Sequence, residues 1–261
     1  MRTIREKQFP SSSRMKMRVN AIITMVLMVA AAEAAEPAKR LFILSGQSNM
    51  TPALKDGFVR VMEERYGKEN VTVVHQCQSG RGLRFWDKDY KFPDNYRFPG
   101  KETAPEEKHL NQHGTLYGEL IQAAGEAAEG KTHDTVTFIW MQGESDAGRA
   151  LGEVYGESFL RLLGRMKADL GRKDIGFVIG RISDAGLKGE LAEQWERVRA
   201  AQVKLAEDAA DGDWIDTDDL NGPNDDVHYP GDKYPDLGAR FAAKAIELIE
   251  KSAPAGAKGS K

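Results

Sequence analysis

The sequence predicts an α/β fold: a three-layer α/β/α sandwich built on a five-stranded parallel sheet. Short apolar runs alternate with amphipathic segments of crossover length, the pattern of a parallel sheet covered on both faces. Unusual polar turns follow the strands, and ligands of such sheets gather at the strands' carboxyl ends. The 261 residues are 41% apolar and 30% charged, a globular composition, and there is no internal repeat.

The elements follow in order. Leu41–Leu44 reads as a short buried strand, running into the polar turn Ser45-Gly46-Gln47-Ser48-Asn49. Val59, Met62 and Tyr66 give helical spacing over Asp56–Tyr66, and Val71–His75 reads as the second strand. The stretch from Asp87 to Gly114 is charged and aromatic without a period, the mark of a functional or disordered loop. Leu116–Glu129 is an amphipathic helix and Thr135–Met141 the third strand, ending in Gln142-Gly-Glu-Ser-Asp146. A helix through Tyr155, Phe159, Leu162 and Leu170 precedes a fourth strand, Ile175–Ile182. A helix over Leu191–Asp208, a short strand at Trp214-Ile215 and a last helix over Tyr234–Lys251 complete the pattern.

The first 34 residues differ from the rest. Arg2, Arg5, Lys7, Arg14, Lys16 and Arg18 precede the apolar run Ala21–Ala32, and Ala32-Glu33-Ala34 supplies small residues for cleavage. A signal peptide is expected over 1–34, one domain over 35–251 and a disordered tail over 252–261. Export to the periplasm or the exterior follows, with a membrane anchor if the run stays uncleaved and no stable membrane association otherwise. A net charge of −3 offers no basic excess for nucleic acid. No Gly-x-Gly-x-x-Gly or Walker loop announces a nucleotide, and neither a metal nor a cofactor is expected. Cys77 is the single cysteine, so no intramolecular disulfide forms; it reads as a small buried residue.

Ser48 is the candidate nucleophile, presented where a strand meets a glycine-containing turn. Serine needs a base, and five histidines are available. His75 reads as structural and His133 has no partner in view. His109 and His113 have the i, i+4 spacing of a metal pair but lie in a polar, aperiodic segment expected at the surface. His228 lies between the last strand and the last helix, three residues after Asp225, whose carboxylate is placed to orient an imidazole. Asp226 is the weaker orienter, while Asp216, Asp218 and Asp219 are expected to be solvated or calcium-attracting. The backbone N–H groups of Ser48 and Gly80 and the amide of Gln142 are candidate oxyanion donors. Gly80 serves equally as a turn glycine, and Gln142 as a strand cap.

Together, Gly46-Gln-Ser-Asn-Met50, the Gly80 turn followed by Trp86, Gln142-Gly-Glu-Ser-Asp146 and Asp225-x-x-His228 resemble the sialate O-acetylesterase-like branch of the SGNH hydrolases. That branch includes carbohydrate esterase family six, and the resemblance runs from Arg40 to Ile249. It implies an SGNH/flavodoxin-like fold with Ser48 as nucleophile, His228 as base and Asp225 as its orienter. It implies an oxyanion hole from Ser48, Gly80 and Gln142, with Gln47, Asn49 and Glu144 supporting the site.

The chain departs from the family pattern at Ser79-Gly80-Arg81-Gly82, where relatives often carry adjacent glycines, and at Thr51-Pro52 after Met50. Arg81, Arg84 and Trp86, with the 87–114 loop, are candidates to bind an anionic or hydroxyl-rich substrate, Arg81, Arg84 and the loop equally a solvated rim. The implied activity is removal of O-acetyl groups from a carbohydrate: acetylated xylan, another glycan or sialic acid. The alternatives are a lipase- or thioesterase-like hydrolase and a non-catalytic glycan-binding protein of the same fold.

Overall fold

Leu41 and Ile43 pack on one face of the sheet and Phe42 and Leu44 on the other, the period-two alternation of extended backbone. All four are at most 2% exposed, so this strand is covered on both sides. The computed structural model describes residues 36–101, 104–222 and 226–252. The expected signal peptide and nearly all of the expected tail lie outside the described residues, as does Asp225.

Five strands, β1 (Arg40–Gly46), β2 (Val71–Cys77), β3 (Thr135–Met141), β4 (Ile175–Gly180) and β5 (Gly212–Ile215), form one parallel sheet in the order β2-β1-β3-β4-β5. Its helices are α1 (Pro52–Tyr66), α2 (Glu107–Leu110), α3 (Tyr117–Ala128), α4 (Glu144–Ala147), α5 (Gly152–Asp169), α6 (Ala192–Glu207) and α7 (Tyr234–Ser252). Helices α3, α5 and α6 share one core with Leu41, Ile43, Phe138 and Trp140. Helices α1 and α7 share the other with Phe42, Leu44, Ile139 and Met141. The three-layer sandwich is therefore present as expected. From Pro37 onward the chain forms one compact unit, and no helix among the described residues is long and apolar enough to cross a membrane.

Register matters more to function than strand length. Gly46 is opposite Cys77 on one side and Met141 on the other, so three strands end level. The turns that leave them, at 47–50, 78–82 and 142–146, therefore emerge at one edge. Gly46 has φ +147°, and a Cβ there would lie 1.9 Å from the Met141 carbonyl oxygen, so no other residue fits.

Helix α1 begins four residues earlier than its apolar spacing indicates. Thr51 caps it by accepting from Leu54 N at 3.1 Å, and Pro52 occupies the first turn, where no N–H is needed. Among its described residues, the aperiodic 87–114 stretch carries an aromatic cluster of its own. Tyr90, Tyr96 and Leu151 are buried, Phe92 stacks on Tyr96 at 5.0 Å, and Phe98 meets Tyr96 edge-on. His109 lies against Phe98, and His113 against Tyr90 and Phe92. The surface placement expected for these histidines is thus corrected: aromatic packing draws both partly inward, and burial lowers the His113 pKa.

Candidate active site

The turn after β1 sorts its side chains by depth. Gln47 and Asn49 are 3% and 0% exposed, while Ser48 between them is half-buried and faces a cleft. Gln47 N donates to Met141 O and Met50 N to Gln47 O, closing the turn. From β2, His75 Nε2 and Cys77 Sγ both reach Met50 O, at 3.0 and 3.1 Å. Cys77 is half-buried at the strand end, and burial raises its thiol pKa.

His228 Nε2 lies 2.8 Å from Ser48 Oγ, hydrogen-bonding distance for transfer of the serine proton. The residues on both sides of His228 are tied down. Asn49 Nδ2 donates to Val227 O at 3.0 Å, and Tyr229 OH donates to Thr217 Oγ1 at 2.7 Å. Asp226 accepts from Val227 N through its own carboxylate. Asp225 lies outside the described residues.

Behind the serine is a buried polar network. Asn49 Nδ2 also donates to Glu144 Oε1 at 2.6 Å, and Tyr234 OH donates to Asn49 Oδ1 at 2.9 Å. Burial pushes the Glu144 carboxyl up to about 7, and its second oxygen has no partner among the described residues. Gln47 Oε1 accepts from Ser145 N at 3.1 Å and from Gln142 Nε2 at 3.3 Å. Gln47, Asn49 and Glu144 thus stand behind Ser48 and connect β1 to the turn after β3.

The candidate oxyanion donors separate. Among the described residues neither Ser48 N nor Gly80 N has a protein acceptor, and both residues line the cleft. Gln142 is fully buried and does not line it. Its Nε2 donates to Asp146 Oδ2 at 2.5 Å and also approaches Gln47 Oε1 and Arg81 O. In this arrangement Gln142 braces the turns, and its amide is not presented to the cleft. Asp146 extends that brace by accepting from Leu83 N at 2.8 Å, and burial pushes its carboxyl up to about 6.

The candidate substrate residues divide as well. Trp86 is 1% exposed and packs edge-on against Trp140 at 5.2 Å, so it is a core residue and its assignment to substrate is corrected. Arg81 is exposed, its guanidinium over the Phe85 ring. Arg84 is buried and lines a second hollow beside the cleft. Asp218 pairs with Arg199 and Arg181, Asp216 with Arg181 and Asp219 with Arg240, while Asp216 and Asp219 stay exposed to solvent. Among the described residues no three His, Cys, Asp or Glu side chains gather as metal ligands.

Five residues that line the cleft are not among the candidates the sequence points to: Ser79, Ser145, Arg149, Trp195 and Val227. Ser145 belongs to the strand-end block already singled out, and Arg149 follows it by four residues. Trp195 lies in the first turn of α6, and nothing in its local pattern marks it.

A family model described as carbohydrate esterase, sialic acid-specific acetylesterase matches residues 52–247. The sequence matches no curated protein. Among solved structures, one of a protein from Arabidopsis thaliana superposes with TM-score 0.59 at 18% identity, over 81% of this chain and 99% of that one. A carbohydrate acetylesterase from Xanthomonas citri gives TM-score 0.59 at 18% identity, over 82% of this chain; this chain spans only 57% of that enzyme. NanS gives TM-score 0.52 at 12% identity, over 75% of this chain and 70% of that one. At such identities the structures speak for the fold alone, a three-layer α/β/α sandwich on a parallel sheet. The chain belongs to the sialic acid-specific acetylesterase family of carbohydrate esterases, enzymes that hydrolyse acetyl esters of carbohydrates.

Proposed function

We propose that this carbohydrate acetylesterase is an exported serine esterase acting on an O-acetylated glycan through Ser48, His228 and Asp225. The observation that carries the reading is the 2.8 Å contact between Ser48 Oγ and His228 Nε2 at the mouth of a cleft. Ser48 Oγ attacks the ester carbonyl carbon while His228 Nε2 takes its proton. The negative charge forming on the carbonyl oxygen is met by the backbone N–H groups of Ser48 and Gly80. His228 then returns the proton to the departing sugar oxygen, leaving acetyl-Ser48. Water, deprotonated by His228, attacks that ester; the bond to Ser48 Oγ breaks, His228 returns the proton to that oxygen, and acetate is released. Asp225 takes the orienting role by its place in the family pattern, three residues before the base.

The cleft, of about 340 Å3, sets polar Ser79, Ser145 and Arg149 beside apolar Trp195 and Val227, a mixture suited to a sugar ring carrying a small ester. Export rests on the basic residues, apolar run and Ala32-Glu33-Ala34 at the start of the chain. A glycan met outside the cytoplasm, or an acetylated sialic acid, suits such an enzyme.

The test is hydrolysis of 4-nitrophenyl acetate beside the octanoate ester, with wild type and Ser48→Ala. Acetate-selective turnover that disappears in the folded variant supports the reading. Undiminished turnover by Ser48→Ala, or none by the wild type, overturns it.

A further inference from the structure

Beside the catalytic cleft, of about 340 Å3, lies a second and larger hollow of about 730 Å3. Arg149 lines both. Each space is within the range of a small-molecule site, so one sugar at Ser48 leaves the second unfilled. We propose that this hollow is an anion subsite: the substrate is an acidic oligosaccharide whose acetylated residue sits at Ser48 and whose neighbouring charged residue is held by Arg84 and Arg149. The inference rests on the esterase reading of Ser48 and His228.

Arg84 carries the argument. It is 6% exposed, yet its guanidinium is held by neutral groups only: Nη1 donates to His109 O and Nη2 to Gln112 Oε1, both at 2.9 Å, and the group lies 4.2 Å from the Phe85 ring. Arg149 is fixed by donation from Nη1 to Ser145 O at 3.0 Å. Among the described residues neither arginine has a carboxylate within ion-pair distance. Burial first, and then the Arg149 charge, lowers the pKa of Arg84. Two cations that repel one another are thus held facing one hollow, an arrangement that costs stability unless an anion arrives between them.

The rest of the lining agrees. Lys101 adds a third positive charge at the rim, while Lys108 is neutralised by Glu106 at 2.8 Å. Asp146 is the nearby carboxylate, its Oδ2 held by Leu83 N and Gln142 Nε2, and its pull on Arg84 is weaker than the push from Arg149. Phe98 and Pro99 give the hollow apolar surface suited to the face of a sugar ring. Arginine's planar fork fits carboxylate and sulfate alike, so the shared chemistry is an oxyanion on the glycan.

The experiment compares kcat/KM on an acetylated oligogalacturonide, a chemically acetylated sulfated galactan oligosaccharide and an acetylated xylo-oligosaccharide of equal length, using the full chain. Wild type is expected to prefer one or both acidic substrates by about tenfold or more, less so in high salt. The arm that is preferred tells carboxylate from sulfate. Arg149→Gln and Arg84→Gln should bring the acidic-to-neutral ratio towards one. The exposed Lys101→Gln should lower it in part and answers the question if Arg84→Gln does not fold. No acidic preference in a wild type that turns over 4-nitrophenyl acetate overturns the subsite and leaves the esterase standing. Equal preference for an acetylated acidic monosaccharide also overturns it, by placing the anion in the cleft. Inactivity on every ester removes the esterase reading itself.

Discussion

Ser48 Oγ and His228 Nε2 stand 2.8 Å apart although 180 positions of sequence separate them. The contact exists because β1 delivers one partner to the sheet edge and the loop before α7 folds back with the other. Residues that act as a unit are not additive when removed. His228→Ala is expected to lower kcat on an acetyl ester by on the order of ten-thousand-fold, with KM little changed. The double variant with Ser48→Ala should fall no further than the worse single one. Additive losses in steady-state kinetics would show that the two groups act in separate steps.

Asn49 ties the nucleophile's turn to the base's loop. Its amide serves Glu144 and Val227 O as donor and Tyr234 as acceptor, so truncation leaves three buried or half-buried groups without partners. Asn49→Ala should therefore destabilise the fold by about 2–4 kcal/mol. It should also lower kcat, because the Val227–His228 backbone loses its anchor. Urea denaturation followed by tryptophan fluorescence measures the first, and acetyl ester turnover the second. Unchanged stability would mean that the amide contributes nothing net to the network.

Much of this was legible in the sequence because it depends on local period and strand-end chemistry. Buried strands such as Thr135–Met141 and the stripe of α7 announce themselves, and four polar turns after strands point to one edge of the sheet. Ser48 and His228 were legible for the same reason, each being the distinctive side chain of such a turn. What was not legible depends on long-range packing. Nothing local distinguishes Trp86, buried on Trp140, from a cleft-lining tryptophan. The knot of Tyr90, Phe92, Tyr96 and Phe98 has no period, since its rings are brought together by the path of a loop. Gln142 was placed at the correct edge, but its depth depends on Asp146 and Gln47, which only the folded turns bring to it.

Glu144 gives stability a pH dependence of definite sign. Burial raises its carboxyl from the ordinary 4.5 to about 7, so folding favours the protonated acid. Its stabilising contribution is complete below pH 4.5 and is lost as pH rises through 7. The loss is on the order of 3 kcal/mol, and Glu144→Gln should remove it while keeping an acceptor for Asn49. Urea midpoints from pH 4 to 8 check this. Asp146 has the same sign, raised from 3.8 to about 6, so a residual slope at lower pH should survive in the variant. Parallel curves for wild type and Glu144→Gln would mean that Glu144 ionises in the fold as it does in the unfolded chain.

Helices α1 and α7 meet backbone to backbone, and two glycines make that possible. A Cβ on Gly238 would lie 2.0 Å from Leu54 O, and one on Gly57 would lie 2.3 Å from Pro235 O. Because the obstructing atoms are main chain, no side-chain rotamer relieves the clash, and the helices must move apart. That layer also carries Tyr234, which holds Asn49, so the damage extends to the site. Gly238→Ala should cost about 3 kcal/mol or more, lowering the melting temperature by roughly 6–12 °C. Gly164, inside α5 with nothing within 4 Å of its added Cβ, is the matched control. Gly164→Ala should gain about 0.5–1 kcal/mol, because alanine loses less backbone freedom on entering a helix. Calorimetry on the two variants separates close approach from helix propensity: equal shifts of the same sign would show that the α1–α7 contact yields to an extra methyl group.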